Sequence, residues 1–288
     1  MKILVLGSGG QLGRCLQQSF KGGVHEVVFC SRSEVDITDY QIVRKKIDAL
    51  QPKTIINASA YTDVDKAEEE FNLAETVNHN AVANLALCCM DYDCLLIHIS
   101  TDYVFDGKNE YPYMENFPTN PQSVYGKSKR RGEIAIINSG CRYFIFRTSW
   151  LFCEFGKNFV QTMLALGQSR KEIRVVCDEI GCPTYGLDLA TGLLNVVNHT
   201  EIETVCSGIF HYSGGPSCSW FNFSKEIFVQ AERCGLKVPD RLIPVPSRDY
   251  LTLASRPEFS VLSTKKFEET FILEVPDWIG GVRRVVEL

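Results

Sequence analysis

Met1-Lys2-Ile3-Leu4-Val5-Leu6-Gly7-Ser8-Gly9-Gly10-Gln11-Leu12-Gly13 opens the chain and decides its fold. Residues 3–6 are an unbroken apolar run, the pattern of a strand buried on both faces. The run meets glycines at 7, 10 and 13, a GxxGxxG pattern, and then a helical stretch from Gln11 to about Phe20. Strand, glycine turn and helix in this order form a cradle for a dinucleotide. Gly7 permits the tight turn, Gly10 lets the backbone approach a pyrophosphate, and Gly13 lets helix and sheet pack closely. The helix N-terminus offers unpaired N–H groups and partial positive charge to the phosphates. As a signal peptide the apolar start is too short.

Outward from this unit, β-type runs at 27–29, 54–56, 95–99 and 143–146 alternate with helical stretches at 40–50, 72–90 and 124–138. Repeated βα units predict an α/β fold, a Rossmann-like doubly wound parallel sheet with helices on both faces. Ligands bind such sheets at the carboxyl ends of the strands, where Gly7, Ala58, Thr101 and Arg147 fall. The second half is less regular. Helices are expected at 157–168, 185–198, 219–234, 264–271 and 277–288, with a strand at 209–212, and Pro239, Pro244, Pro246 and Pro257 interrupt the rest. We therefore expect a dinucleotide-binding domain over 1–150. A smaller α/β region over 151–288 mostly binds substrate and returns some segments to the first sheet.

Composition narrows the class. The chain has 288 residues, 45% of them hydrophobic, enough for a substantial core, and a net charge of −5. No basic patch marks a nucleic-acid partner, and no apolar run approaches a membrane span. The 12 cysteines are scattered without CxxC and without ligand spacing to His25, His79, His98, His199 or His211. That spacing predicts no metal site and no disulfide scaffold, and a cytoplasmic protein that uses Cys as a small hydrophobe.

Two further stretches bear on chemistry. The second strand ends at Phe29-Cys30-Ser31-Arg32-Ser33, where NAD sites place a carboxylate for the ribose 2′-hydroxyl. An Arg between hydroxyls suits a 2′-phosphate, hence NADPH, while Glu34 and Asp36 keep NADH possible; Asp36-Ile37 lies where an adenine would rest. Tyr125-Gly126-Lys127-Ser128-Lys129 places a phenol and an ammonium one helical turn apart. The ammonium is expected to lower the phenol pKa, so that Tyr125 can pass a proton to a carbonyl oxygen near neutral pH. In Ser100-Thr101-Asp102, at the end of the fourth strand, a hydroxyl can donate to the same oxygen.

These stretches occur in order with Asn57-Ala58-Ser59-Ala60-Tyr61-Thr62-Asp63-Val64-Asp65-Lys66-Ala67-Glu68, Tyr103-Val104-Phe105, Arg147-Thr148-Ser149-Trp150, Asn158-Phe159, Thr162-Met163-Leu164, Pro183-Thr184 and Arg256-Pro257. Together they resemble the dTDP-4-dehydrorhamnose reductases, a family of extended short-chain dehydrogenase/reductases. The resemblance implies NADPH-dependent reduction of the 4-keto group of a dTDP-sugar, a step toward dTDP-rhamnose and so toward lipopolysaccharide or O-antigen. It implies that Tyr125 protonates the new alkoxide, Lys129 binds the nicotinamide ribose, and Thr101 polarises the ketone. It assigns Gly10, Gln11, Leu12, Asp36, Ile37, Ala60, Tyr61 and Thr62 to the cofactor. Thr101, Asp102 and Trp150 fall to the substrate, with Asp63, Val64 and Asn158 lining its pocket. Some family members place a Glu early in the first helix at a metal-linked dimer contact. Arg14-Cys15 stands there in this chain, which leaves a Mg²⁺ ion, and the choice of monomer or homodimer, open. Other readings are a different nucleotide-4-keto-6-deoxysugar reductase or an epimerase, or a non-catalytic NADP-binding subunit resembling the regulatory subunit of methionine adenosyltransferase. A 4,6-dehydratase would need a carboxylate where Tyr103 stands.

Overall fold

The structure, a computed structural model, describes residues 1–199 and 202–288. Six parallel strands form one sheet in the order Gly208–His211, Tyr143–Thr148, Leu95–Thr101, Thr54–Asn57, Lys2–Leu6, Glu26–Cys30. The chain first builds outward from Lys2–Leu6 to Glu26–Cys30, then crosses back to the other side of Lys2–Leu6. That reversal is the switch point at which doubly wound sheets open a crevice. Leu6 pairs with Cys30 on one side and with Asn57 on the other, so Gly7, Ser31 and Ala58 leave the sheet side by side.

Alternation along the first strand assigns its faces. Ile3 and Val5 enter one core with Leu12, Cys15, Leu16, Phe144 and Phe146. Leu4 and Leu6 enter the other with Val43, Ile47, Ile55, Leu85 and Ile145. With successive side chains on opposite faces, the continuous apolar run is buried twice over, as expected for a central parallel strand. The helices at Tyr40–Leu50 and Val124–Asn138 have the expected bounds.

Two departures matter. The expected helix over 72–90 is broken into Phe71–Glu75, a π-turn at Thr76–Asn80, and Ala81–Asp91. The wider turn carries buried Asn78, whose Oδ1 accepts from Tyr61 N at 2.9 Å and whose Nδ2 donates to Tyr61 O at 3.0 Å and to Ser128 Oγ at 3.0 Å. One amide thus fastens the loop after the third strand to the Tyr125 helix. The second departure is the strand pair Glu172–Val176 and Arg241–Val245, parallel and two-stranded. Pro244 demotes the second member as a strand in sequence terms, but in a two-stranded pair an edge without an N–H is tolerated. Gly208–His211 extends the main sheet beside Tyr143–Thr148, and the helix Gly186–Asn198 packs on Gln11–Ser19. Among the described residues no helix is long and apolar enough to cross a membrane.

Candidate active site

The glycine turn is built for close approach. Gly7 has φ +83°, and a Cβ there would lie 2.7 Å from Ser59 N; a Cβ at Gly13 would lie 2.2 Å from Gly7 O. Both contacts are with backbone, so neither position accepts a side chain without moving the strand–helix turn. Gly10 is the N-cap of the first helix and supplies no side-chain cap, which leaves first-turn N–H groups free for an anion.

Three cavities run in series across the carboxyl edge of the sheet. The first, about 290 Å³, is lined by Gly7, Gly10, Arg32, Asp36, Ile37 and Tyr61, among others. It shares Gly10, Ala58, Ser59 and Ala60 with a cavity of about 450 Å³. That second cavity receives Gln11, Leu12, Thr62, Val64, Thr101, Asp102, Tyr125, Lys129 and Trp150. A third, about 510 Å³, shares Trp220 and Arg256 with the second and continues past Met163, Arg170, Arg174 and Tyr250. The geometry thus gathers most residues singled out in the sequence into one trough. Ser31, Asp63 and Asn158 are exceptions: none lines these cavities. Ser31 binds Glu34 through its N–H at 2.8 Å and its hydroxyl at 2.7 Å. Asp63 caps the short helix Val64–Ala67. Asn158 caps Phe159–Ser169 and donates to Gln11 Oε1 at 3.1 Å and Cys153 O at 2.7 Å, so it steadies the wall from behind.

At the centre, Tyr125 and Thr101 line the same cavity. Thr101 is the last residue of its strand; its hydroxyl donates to Asp102 Oδ1 at 3.0 Å and accepts from Tyr103 N at 3.2 Å. Tyr103 packs edge-on against the Tyr125 ring, centroids 5.6 Å apart. Ser123 caps the helix that presents Tyr125, accepting from Gly126 N at 3.1 Å. At Gly126 a Cβ would lie 2.2 Å from Tyr103 O, so glycine lets this helix press onto the Thr101 turn.

The expected direct effect of Lys129 on Tyr125 is not what the structure shows. Burial pushes the phenol up to about 12, partly opposed by the hydrogen bond with Thr101 and helped by the Asp102 charge. Lys129 is 2% exposed, and its ammonium donates to Ile99 O at 2.6 Å and lies 3.3 Å from His98 Nε2. His98 in turn meets Asn57 Nδ2 at 3.2 Å, and burial followed by the Lys129 charge holds the imidazole neutral. Burial pulls Lys129 down to about 8, with Glu133 opposing the shift. The ammonium is thus anchored in the sheet one turn below the phenol. Asp102 is fully buried and pushed up to about 6 by desolvation; its Oδ2 has no hydrogen-bond partner.

Arg147, placed by the sequence at a strand end, serves the scaffold. It is 1% exposed and clamps Glu133 with Nε to Oε1 and Nη2 to Oε2, both 2.8 Å. Ser100 adds a 2.6 Å donor to Glu133 Oε1, so the Tyr125 helix is bolted to two strands. Trp150 lines the cavity in a left-handed conformation, φ +48°. One face of the indole is taken: Trp220 stacks on it with centroids 3.5 Å apart and planes 8° apart. Gly181 packs so closely that a Cβ there would lie 2.5 Å from the ring. Trp220 lines the trough, and Asn78 and His98 support it from behind through Tyr61 and Lys129; none of the three carries a local motif, since each is brought there only by the fold.

At the cofactor end, Arg32 stands at the cavity mouth, 75% exposed, and pairs through Nε with Asp36 Oδ2 at 3.1 Å. The Thr38 N–H, then its hydroxyl and Arg32, holds the Asp36 carboxyl below its usual range. Tyr61 donates its hydroxyl to Glu70 Oε2 at 2.7 Å.

Comparison with known proteins matches this architecture throughout. A family model described as RmlD substrate binding domain matches residues 1–288. A dTDP-4-dehydrorhamnose reductase of Aggregatibacter actinomycetemcomitans is 40% identical over 99% of this chain and 98% of its own length. One from Burkholderia thailandensis is 37% identical over 96% and 95%. The crystal structure of such a reductase from Clostridium acetobutylicum superposes with a TM-score of 0.92 at 37% identity, covering 100% of this chain and 99% of its own. Another, from Bacillus anthracis in complex with NADP, gives 0.90 at 36% identity over 99% and 98%. A glycine cradle, a phenol and threonine facing one cavity, and this whole-length likeness agree with what the motifs implied: the chain belongs to the dTDP-4-dehydrorhamnose reductase family of Rossmann-fold oxidoreductases.

Proposed function

We propose that this protein reduces the 4-keto group of dTDP-4-dehydro-L-rhamnose with NADPH, giving dTDP-L-rhamnose. The observation that carries the reading is the trough: the phenol and threonine hydroxyls sit in the middle cavity, between a dinucleotide cradle and a third cavity rimmed by arginines. A Cβ-intolerant glycine turn and uncapped helix N–H groups fit a pyrophosphate. Arg32 beside the first cavity suits a 2′-phosphate, and Asp36, Ile37, Ala60 and Tyr61 would hold the adenosine. Gln11, Leu12, Thr62 and Lys129 would hold the remainder. Bound there, NADPH supplies the hydride.

The chain's own groups do the rest. Thr101 and Tyr125 both line the middle cavity, and the Thr101 hydroxyl, turning from Asp102 Oδ1, would donate with Tyr125 to a ketone oxygen that gains negative charge as the carbonyl is reduced. Donors held by the scaffold stabilise that charge, and Tyr125 gives its proton to the oxygen. A phenol at about 12 holds its proton until a stronger base forms beside it, and an alkoxide is such a base. Lys129, anchored on Ile99 O, keeps a cation under the site at neutral pH. Trp150, Val64 and Asp102 would bound the sugar. Arg256, Arg170 and Arg174 suit the diphosphate, and the apolar wall at Met163 with Tyr250 suits the base. Such a reaction would put the protein in nucleotide-sugar supply.

The test is a panel of 4-keto nucleotide sugars incubated with NADPH or NADH, following loss of the reduced-nicotinamide band and reading C4 configuration by NMR. The reading expects turnover with NADPH and dTDP-4-dehydro-L-rhamnose. Binding of NADPH with no turnover of any ketone would overturn it in favour of a non-catalytic subunit.

A further inference from the structure

Behind Gln11, outside the trough, the fold gathers three ligating side chains that the sequence keeps far apart. Cys15 comes from the first helix; Cys153 and Glu154 follow the strand Leu151–Phe152. Their two thiol sulfurs and a carboxylate oxygen lie within 4.8 Å of one another, and both cysteines are 0% exposed. We propose that Cys15, Cys153 and Glu154 form a binding site for a borderline-soft divalent cation, Zn²⁺ by preference, with a fourth position left for water.

Around a tetrahedral Zn²⁺, sulfurs at about 2.3 Å and an oxygen at about 2.1 Å would stand somewhat under 4 Å apart, so only a small contraction of the observed cluster is needed. Two sulfurs select against Mg²⁺ and Ca²⁺, which take oxygen ligands. The surroundings support ligation. Tyr185 donates its hydroxyl to Glu154 Oε2 at 3.2 Å, the outer-shell contact that orients a ligating carboxylate. Asn158 pins the backbone of Cys153 through its carbonyl at 2.7 Å. Room is kept by Gly186, where a Cβ would stand 2.9 Å from Cys15 Sγ. Glu154 is half-buried and gives an entry path. Binding would release the thiol protons and tie the cofactor cradle to the wall that carries Trp150. The proposal does not depend on the substrate named above.

The experiment uses the full chain, stripped by chelator and kept reduced, titrated with Zn²⁺ against a chromophoric competitor. Co²⁺ serves as the spectroscopic probe. The proposal expects one ion per chain, a thiolate-to-cobalt charge-transfer band and tetrahedral visible bands. Cys153→Ser should abolish all three, Tyr185→Phe should weaken affinity about 10-fold or more, and Cys206→Ser, at an exposed cysteine, should change nothing. If Cys153→Ser fails to fold, X-ray absorption on the zinc-loaded wild type replaces it, with two sulfur neighbours expected. Absence of stoichiometric binding, unchanged binding in Cys153→Ser, or no sulfur around the zinc would overturn the site. So would a Cys15–Cys153 disulfide recovered from metal-free protein that takes up no zinc after reduction.

Discussion

Lys129 provides the sharpest energetic prediction. It is 2% exposed, and burial holds its pKa at about 8 against 10.5 for a free lysine. That gap is about 2.5 units, and at 1.36 kcal/mol per unit it amounts to about 3 kcal/mol. The sign follows from proton counting. Between about pH 8 and 10.5 the unfolded chain still holds the proton that the folded chain has released, so stability rises with pH across that window. Below about pH 8 both states are charged and the cost of burying the ammonium is constant. The perturbation is Lys129→Met, which removes the titration while keeping an unbranched stem. Urea unfolding of both proteins at fixed ionic strength, without cofactor, reads the difference. Wild type should gain about 3 kcal/mol relative to the variant on going from pH 7 to above 10.5, most of it after pH 8. A difference that stays flat within about 1 kcal/mol, or that falls, would refute the buried-ammonium account. It would mean that the lysine swings to solvent and does not hold its anchor on Ile99 and His98.

Three other outcomes are expected. Arg32→Ala should weaken NADPH by about 10-fold or more and NADH little, read by fluorescence titration; equal losses would remove the 2′-phosphate contact. Gly13→Ala should cost about 3 kcal/mol or more and abolish dinucleotide binding, because the new Cβ meets only backbone; thermal unfolding with and without NADPH checks both. Arg147→Met should destabilise by about 3 kcal/mol, since the buried Glu133 carboxylate would lose its bidentate partner and keep only the Ser100 hydroxyl at 2.6 Å and the part-exposed Arg130 at 3.2 Å. A loss under about 1 kcal/mol would show that the pair is not holding the Tyr125 helix.

What the sequence made legible was what is local. The glycine turn, the hydroxyl pair at the end of the fourth strand and the YxxxK helix are short segments whose spacing fixes their geometry. Val124 and Asn138 bound the Tyr125 helix in sequence and structure alike. The parallel sheet was legible because its strands are buried on both faces and read as unbroken apolar runs. What stayed hidden depends on long-range contact. Asn78 looked like one polar residue in a long helix; its partners Tyr61 and Ser128 lie in other elements, and their pull accompanies the π-turn. The pair Glu172–Val176 and Arg241–Val245 was missed because one strand alternates charges and the other contains Pro244. Asp63 and Asn158 sit in motifs whose conspicuous members face the cavity, while these two cap helices. Trp150 was assigned to the substrate, but the cover on one face of its indole was hidden because Trp220, its stacking partner, lies far along the chain. The effect of Lys129 on Tyr125 was misread for a different reason: helical spacing places two side chains on one face but does not say which acceptor an ammonium will choose.

The central claim is that the Tyr125 phenol delivers the proton to a ketone held against Thr101. Steady-state turnover of dTDP-4-dehydro-L-rhamnose by Tyr125→Phe, paired with NADPH affinity of the same variant, tests it most directly. The account predicts that kcat falls by about 10²–10⁴ while NADPH still binds within a few-fold of wild type; turnover close to wild type in that variant would contradict it.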